Sequence, residues 1–291
     1  MKGDELLPEA NVTQNISALL RAHGLRPRKR LGQNFLRDPV ALGRIVRAAD
    51  LSHEDVVVEV GAGVGTLTRP LAEHAGHVIA LELDDGLVAI LRDQVANLNN
   101  VQVLHGDVLQ FSASQFPHHG YKVVGNLPYY ITSAVLRHFL EKVPRPRLMV
   151  VTVQREVADR IVAGPGKMSL LAVSVQFYGQ PRIVARLPAG AFYPPPQVDS
   201  AVVRIDVGEQ STIVLENAID EAMFFRVVRA GFSQKRKTLR NSLSAGLGLS
   251  PAGAEEALEQ AGVDPRRRAE TLSLKEWAGV VQVLSNRSAQ T

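Results

Sequence analysis

The chain has 291 residues, 45% of them hydrophobic and 21% charged, enough for one large domain with a small companion or for two ordinary domains. It contains no cysteine, which excludes disulfides, thiolate metal sites and cysteine nucleophiles; nothing points to an oxidising compartment, so a cytoplasmic location is expected. The acidic, polar N-terminus is unlike a signal peptide, and no apolar run reaches membrane-spanning length, so no membrane association is expected.

In chain order, residues 1–24 form an extension expected to be partly disordered. Asp38 followed by Pro39 reads as an N-cap and first helical residue, and the apolar spacing of VALGRIVRAAD continues the helix. VVVEV (56–60), HVIALEL (77–83), VQVLHGD (101–107), YKVVGN (121–126) and RLMVVTVQ (147–154) are short apolar runs separated by helix-like segments. Such alternation predicts βαβ units and a parallel sheet covered on both faces. A proline-stiffened loop, FYPPP, then leads into a further strand, AVVRIDV. After about residue 208 strands give way to helical patterns in ENAIDEAMFFRVVRAGF, QKRKTLRNSLSAGL, PAGAEEALEQAG and LSLKEWAGVVQVL. The expected organisation is an α/β domain over 25–207, a smaller all-helical domain over 208–285 and a disordered tail over 286–291.

The positive charge is unevenly placed. Six cations (Arg21, Arg26, Arg28, Lys29, Arg30, Arg37) lie between Arg21 and Arg37 with no anion among them, and six more (Arg226, Arg229, Lys235, Arg236, Lys237, Arg240) lie between Arg226 and Arg240. Arg266, Arg267 and Arg268 make a third knot. A single run is as readily a solvated face; three together point to a polyanion, because each phosphate neutralised releases counterions. The candidate RNA contacts are Arg28, Lys29, Arg30, Lys235, Arg236, Lys237 and Arg240.

The chemistry gathers at strand ends. Gly61, Gly63 and Gly65 follow the first strand with GxGxG rather than GxGxxG spacing, allowing a tight turn and close approach of a ligand to backbone. Glu82 ends the next strand, where a carboxylate can accept both ribose hydroxyls of a nucleoside-containing cofactor. Asp107 ends the third and can accept from an adenine amino group. The fourth runs into Asn126, Leu127, Pro128, Tyr129 and Tyr130. The exocyclic amine of adenine is a poor nucleophile because its lone pair is delocalised into the ring; two acceptors aimed at its N–H bonds favour a pyramidal, reactive nitrogen. Asn126 can supply a side-chain oxygen, the proline-stiffened Leu127 carbonyl the second acceptor, and Tyr129 a flat face for the base. The eight histidines show no metal-ligand spacing, His118 and His119 read as loop residues, and no metal site is expected.

With LGQNFL (31–36), EVGAGVGTLT (59–68), ALELD (80–84), GDVL (106–109), GNLPYYIT (125–132), QREVADRI (154–161), FYPPPQVDSAVVRI (192–205) and FSQKRKTLRNSL (232–243) in this order, the chain resembles the small-subunit ribosomal RNA adenine dimethyltransferases over roughly residues 25–285. The resemblance implies a Rossmann-like class I methyltransferase domain with a helical RNA-binding domain. It implies S-adenosylmethionine as cofactor, touching Asn34, Leu36, Gly61, Gly63, Glu82, Asp107 and Asn126. It also implies N6,N6-dimethylation of two adjacent adenines near the 3′ end of 16S ribosomal RNA, in the small subunit or its precursor; the chain is expected to act as a monomer. The family pattern brings Phe192 of the FYPPP loop to the target base, opposite Tyr129. Large-subunit RNA methyltransferases share the QNFL and NLPY-like motifs, but FYPPPQVDSAV and FSQKRKTLRNSL are closer to the small-subunit group. A non-catalytic ribosome-assembly factor and a nicotinamide dehydrogenase are the other readings; the intact NLPY and the GxGxG spacing oppose them.

Overall fold

The computed structural model describes residues 16–114, 116, 120–208 and 221–288. The disorder expected of the first residues and of 289–291, and the loop reading of His118 and His119, lie outside them.

The chain divides into two compact units. One holds the described residues up to Ala158 together with the stretch from Pro181 to the end of the last strand. Its strands are β1 (Phe35–Leu36), β2 (Val56–Val60), β3 (His77–Glu82), β4 (Val101–His105), β5 (Tyr121–Asn126), β6 (Leu148–Gln154), β7 (Gly179–Leu187), β8 (Phe192–Tyr193) and β9 (Ser200–Val207). Seven form one sheet in the order β4-β3-β2-β5-β6-β9-β7. The first five run parallel, with Val58 opposite Ile79 on one side and Val123 on the other, and β9 joins antiparallel to β6. The apolar runs Val57–Val58, Val123–Val124 and Met149–Val151 are fully buried because helices cover both faces of the sheet.

Those helices are α1 (Ile16–Ala22), α2 (Pro39–Ala49), α3 (Thr68–His74), α4 (Asp85–Val95) and α5 (Thr132–Glu141). The second starts as its sequence predicts: the Asp38 side chain accepts the Ala41 N–H at 3.0 Å, and Pro39 sits in the first turn. The first was not expected. The N-terminal extension carries a helix from Ile16, and Ile16 and Leu20 are buried against Phe35, Val64, Leu87 and Ile90. The short β1 and β8 pair antiparallel, Phe35 opposite Tyr193 and Leu36 opposite Phe192. Lys122, buried in an otherwise apolar strand, donates from Nζ to the Ala49 carbonyl and the Asp55 carboxylate, each at 3.0 Å.

Strand order reverses direction between β2 and β5, since β3 and β4 follow on one side and β5 and β6 on the other. In open α/β sheets the crevice beyond the carboxyl ends at such a point is where ligands bind.

The second unit contains Asp159–Gln180 and the described residues from 221 to 288. With α6 (Arg155–Ile161), which spans the division, its helices are α7 (Leu170–Tyr178), α8 (Glu221–Phe232), α9 (Leu239–Leu247), α10 (Pro251–Gln260) and α11 (Leu274–Ser288). The sequence assigned the segment from 159 to 180 to the α/β domain. It packs with the later helices instead because α7 is apolar nearly all round, and the Phe177 ring lies 4.6 Å from that of Phe224 and 5.0 Å from that of Phe225. At Gly231 an added Cβ would meet the Trp277 ring at 2.3 Å, so α8 can approach α11 this closely only with glycine there. The last helix continues to Ser288, past the expected start of the tail at 286. No helix among the described residues is long and apolar enough to cross a membrane.

Candidate active site

The turn after β2 is fixed by its neighbours: the N–H groups of Gly61 and Ala62 both donate to the Leu81 carbonyl, at 3.0 and 3.1 Å. Gly61 and Gly63 sit at φ +72° and +61°, a region that L side chains rarely adopt, and a Cβ on Gly63 would lie 3.1 Å from the Phe35 ring. The Gly63 N–H points at Glu82, whose Oε2 accepts it at 2.8 Å. The other oxygen of Glu82 accepts the N–H groups of Leu83 and Asp84, both at 2.9 Å. Burial raises the Glu82 pKa above the usual carboxylate range, the three N–H groups oppose that, and the Asp84 charge adds to it.

Gly61, Gly63, Glu82 and Leu83 line one open pocket with Asn34, Asp107 and Asn126. Asp107 accepts the Leu109 N–H at 2.9 Å through Oδ1. Asn126 donates from Nδ2 to the Asn34 carbonyl at 2.7 Å. Because only the NH₂ end can donate to a carbonyl, the amide oxygen of Asn126 is left as an acceptor. The Leu127 peptide is anchored to the sheet by its N–H on the Thr152 carbonyl at 3.1 Å, with its side chain buried.

Gly61 and Gly63, two acidic strand ends and the Asn126 amide therefore line the same pocket, and Gly65 does not. Four of the candidate catalytic and cofactor residues are not on the pocket wall: Leu127, whose side chain is buried, and Leu36, Tyr129 and Phe192. Leu36 is buried in the core, opposite Phe192. Tyr129 is half-buried, its hydroxyl 2.8 Å from Ser200 Oγ, and it is Tyr130, more than half exposed, that lines the pocket. Phe192 corrects the expectation most plainly: it is fully buried among Leu36, Leu187 and Val202, because pairing of β8 with β1 turns it into the core.

Gln33, Leu83, Pro128, Tyr130 and Ile131 also line the pocket and are not among the candidate site residues read from the sequence. Gln33, Pro128, Tyr130 and Ile131 lie within the quoted LGQNFL and GNLPYYIT motifs, which was the available signal.

Glu59, in β2 below the glycine turn, was also missed. It is 1% exposed, and its pKa is pushed up to about 8, by burial first and by the Glu82 charge to a lesser degree. The nearby Thr68 hydroxyl partly offsets this, although neither it nor Glu59 Oε2 closes a hydrogen bond of normal geometry. A folded-state pKa above the unfolded 4.5 means the native protein holds the proton longer, so this contribution to stability is full below pH 4.5 and is lost as pH rises towards about 8. The slope is at most about 1.4 kcal/mol per pH unit. Glu59→Gln is therefore expected to gain melting temperature relative to the unsubstituted protein across that interval; a gap that does not change with pH would contradict the assignment.

Among the basic candidates, Arg28 pairs with Asp84 at 3.0 Å and Arg30 is exposed; the Lys29 side chain is outside the described set. Lys235, Arg236 and Lys237 are exposed, but they do not lie on the helix expected from sequence: α8 ends at Phe232 and they occupy the turn before α9. Arg240 pairs with Glu255 at 3.1 Å.

No lysine, arginine or histidine lines the pocket among the described residues. Acidic acceptors beside a glycine turn fit a nucleoside-containing ligand, with the turn giving close approach of backbone, and their charge suits a ligand bearing a positive group. S-adenosylmethionine has that chemistry.

The sequence model of the ribosomal RNA adenine dimethylase family matches residues 24–286. The chain is 49% identical over 261 residues to the ribosomal RNA small subunit methyltransferase A of Dehalococcoides mccartyi, covering 89% of each chain. It is 42% identical to the protein of that name from Pelotomaculum thermopropionicum, covering 94% of this chain and 97% of that one. Among solved structures it resembles the 23S rRNA methyltransferase ErmE, with 28% identity, a TM-score of 0.69, and coverage of 87% of this chain and 100% of that one. A dimethyladenosine transferase from Plasmodium falciparum shares the fold at 23% identity and a TM-score of 0.75, over 87% of this chain and 98% of that one.

Proposed function

The chain belongs to the ribosomal RNA adenine dimethylase family, and we propose that within it this methyltransferase converts two adjacent adenines near the 3′ end of 16S ribosomal RNA to N6,N6-dimethyladenine, in the small subunit or its precursor, with S-adenosylmethionine as methyl donor. The observation that carries the reading is the union of an acidic pocket, with no cation among its described lining residues, and an Asn126 amide whose oxygen is left to accept.

When bound, S-adenosylmethionine supplies a methyl group on a positively charged sulfur, and Gly61, Gly63, Glu82 and Asp107 would hold it. The remaining work falls to the chain's own groups. Asn126 Oδ1 and the Leu127 carbonyl accept from the adenine amine, turning its lone pair towards the pocket; methylation leaves the nitrogen positively charged and acidic, so its proton passes to solvent without a tuned general base. Tyr129 offers a ring for the extruded base, with Tyr130 at the pocket itself. Phe192, buried as it stands, serves the core. The apolar side chains of Leu81, Leu83, Val108 and Ile131 keep the site dry.

The exposed Lys235, Arg236 and Lys237 would grip phosphates. Changing all three to alanine is expected to weaken RNA binding and flatten its salt dependence by up to about three units of log–log slope, leaving cofactor affinity intact. Equal slopes before and after would reduce the turn to a solvated face.

A large-subunit RNA target is the competing reading, supported by the likeness to ErmE; the greater identity to small-subunit enzymes favours the first. Methyl-labelled S-adenosylmethionine incubated with the purified chain and each subunit RNA tests the choice: label is expected in the small-subunit RNA, and label confined to the large-subunit RNA would refute the proposal.

A further inference from the structure

The pocket wall formed by Leu31–Phe35 is held at separate points, and one holding group has no part in the pocket itself. Asp84, two residues beyond Glu82 and with its side chain only 4% exposed, caps α4 by accepting the Gly86 N–H at 3.1 Å through Oδ1. Its Oδ2 faces the other way. It accepts Gln33 Nε2 at 2.9 Å and pairs with Arg28 Nη1 at 3.0 Å. The Arg28 N–H in turn donates to Gln33 Oε1 at 2.7 Å, closing a triangle of Asp84, Gln33 and Arg28. The next residue, Asn34, presents its backbone carbonyl to Asn126 Nδ2 at 2.7 Å and ties its own side chain to the Gly32 carbonyl at 3.1 Å. The wall thus spans the crevice from the end of β3, at Asp84, to the end of β5, at Asn126.

We propose that Asp84 is a positioning residue: through Gln33 it fixes the Leu31–Asn34 wall against the bound cofactor, and through the Asn34 carbonyl it keeps the Asn126 amide turned with its oxygen to the pocket. Retention of the cofactor and alignment of the acceptor amide then share one anchor. The charge of Asp84 matters because its carboxylate accepts from both Gln33 and Arg28; a neutral asparagine has one acceptor oxygen for the cap and the wall together. This inference rests on the function proposed above.

The test compares the unsubstituted chain with Asp84→Asn, Gln33→Ala and the double variant, measuring melting temperature, the dissociation rate of S-adenosylmethionine, and the rate of methyl transfer to small-subunit RNA at saturating cofactor. Each single variant is expected to release cofactor about 10-fold faster and to turn over more slowly even when saturated, as befits a lost hydrogen bond to a charged group. The double variant is expected to be no worse than the poorer single one, because both cut the same link. If Gln33→Ala alone shows the defects while Asp84→Asn matches the unsubstituted chain, Gln33 acts on the cofactor directly and the role of Asp84 is overturned. If both lower only the melting temperature, Asp84 is a helix cap and nothing more. Should Asp84→Asn fail to fold, Gln33→Ala at unaltered stability with normal release and turnover still overturns the inference. An unsubstituted chain that neither binds S-adenosylmethionine nor methylates would overturn the functional reading and this inference with it.

Discussion

Asn126→Ala is expected to lower methyl transfer by about 10²–10³-fold, the scale seen when one preorganised hydrogen-bonding group is removed from a reacting centre. The substitution removes the acceptor oxygen, and it also releases the Asn34 carbonyl from its 2.7 Å bond to Nδ2. Asn126→Asp separates these losses. It restores an acceptor but sets a carboxylate against the Asn34 carbonyl, so it is expected to remain well below the unsubstituted rate despite its size and shape. The measurement is single-turnover methyl transfer on small-subunit RNA at saturating cofactor, with melting temperature recorded beside it. A rate for Asn126→Ala within about threefold of the unsubstituted chain would remove the amide from the chemistry.

Phe192→Ala is expected to cost about 3–5 kcal/mol of stability, the usual range for truncating a buried phenylalanine. Its ring is wholly buried and shares a core with Leu36, Leu187 and Val202, so the cavity would open under the β1–β8 pair rather than at the pocket. Phe192→Leu, which keeps most of the volume, is expected to recover much of the loss. Tyr129→Ala is the contrast. That ring is only half-buried and tethered to Ser200, so its removal is expected to slow turnover more than it lowers the melting temperature. If Phe192→Ala instead left stability unchanged and abolished transfer, the residue would belong to the target base after all.

Particular residues show why the site was more legible in the sequence than the arrangement around it. Central strands buried on both faces must be continuous apolar runs, and their ends at Val60, Glu82 and Asn126 were marked by glycine, acid and amide; chemistry and chain geometry coincide there. The edge strand β7, GQPRIVARL, alternates more and less exposed residues and is interrupted by Gln180, Arg182 and Arg186, so it carries no such signature. Pairing of Leu36 with Phe192 joins segments more than 150 residues apart, as any such contact must be learned from three dimensions. Lacking it, the aromatic of the FYPPP loop was assigned to the base rather than to the core. The basic run offers a similar lesson. QKRKTLRNSL has helical composition throughout, but the N–H groups of Leu239 and Arg240 donate to the carbonyls of Arg267 and Pro265, at 2.8 and 3.2 Å, and the helix begins only at Leu239. Propensity gave way to a tertiary contact. The N-terminal helix escaped notice because its apolar pair, Ile16 and Leu20, is buried by partners on α4 and β1.

Nucleoside mass spectrometry of small-subunit RNA from cells that lack this protein, complemented with the unsubstituted chain or with Asn126→Ala, tests the central claim most directly. The account predicts N6,N6-dimethyladenosine at two adjacent positions near the 3′ end with the unsubstituted chain, and unmodified adenine at both with Asn126→Ala or without the protein. Dimethylation that persists in cells lacking the protein, or that Asn126→Ala restores in full, would contradict it.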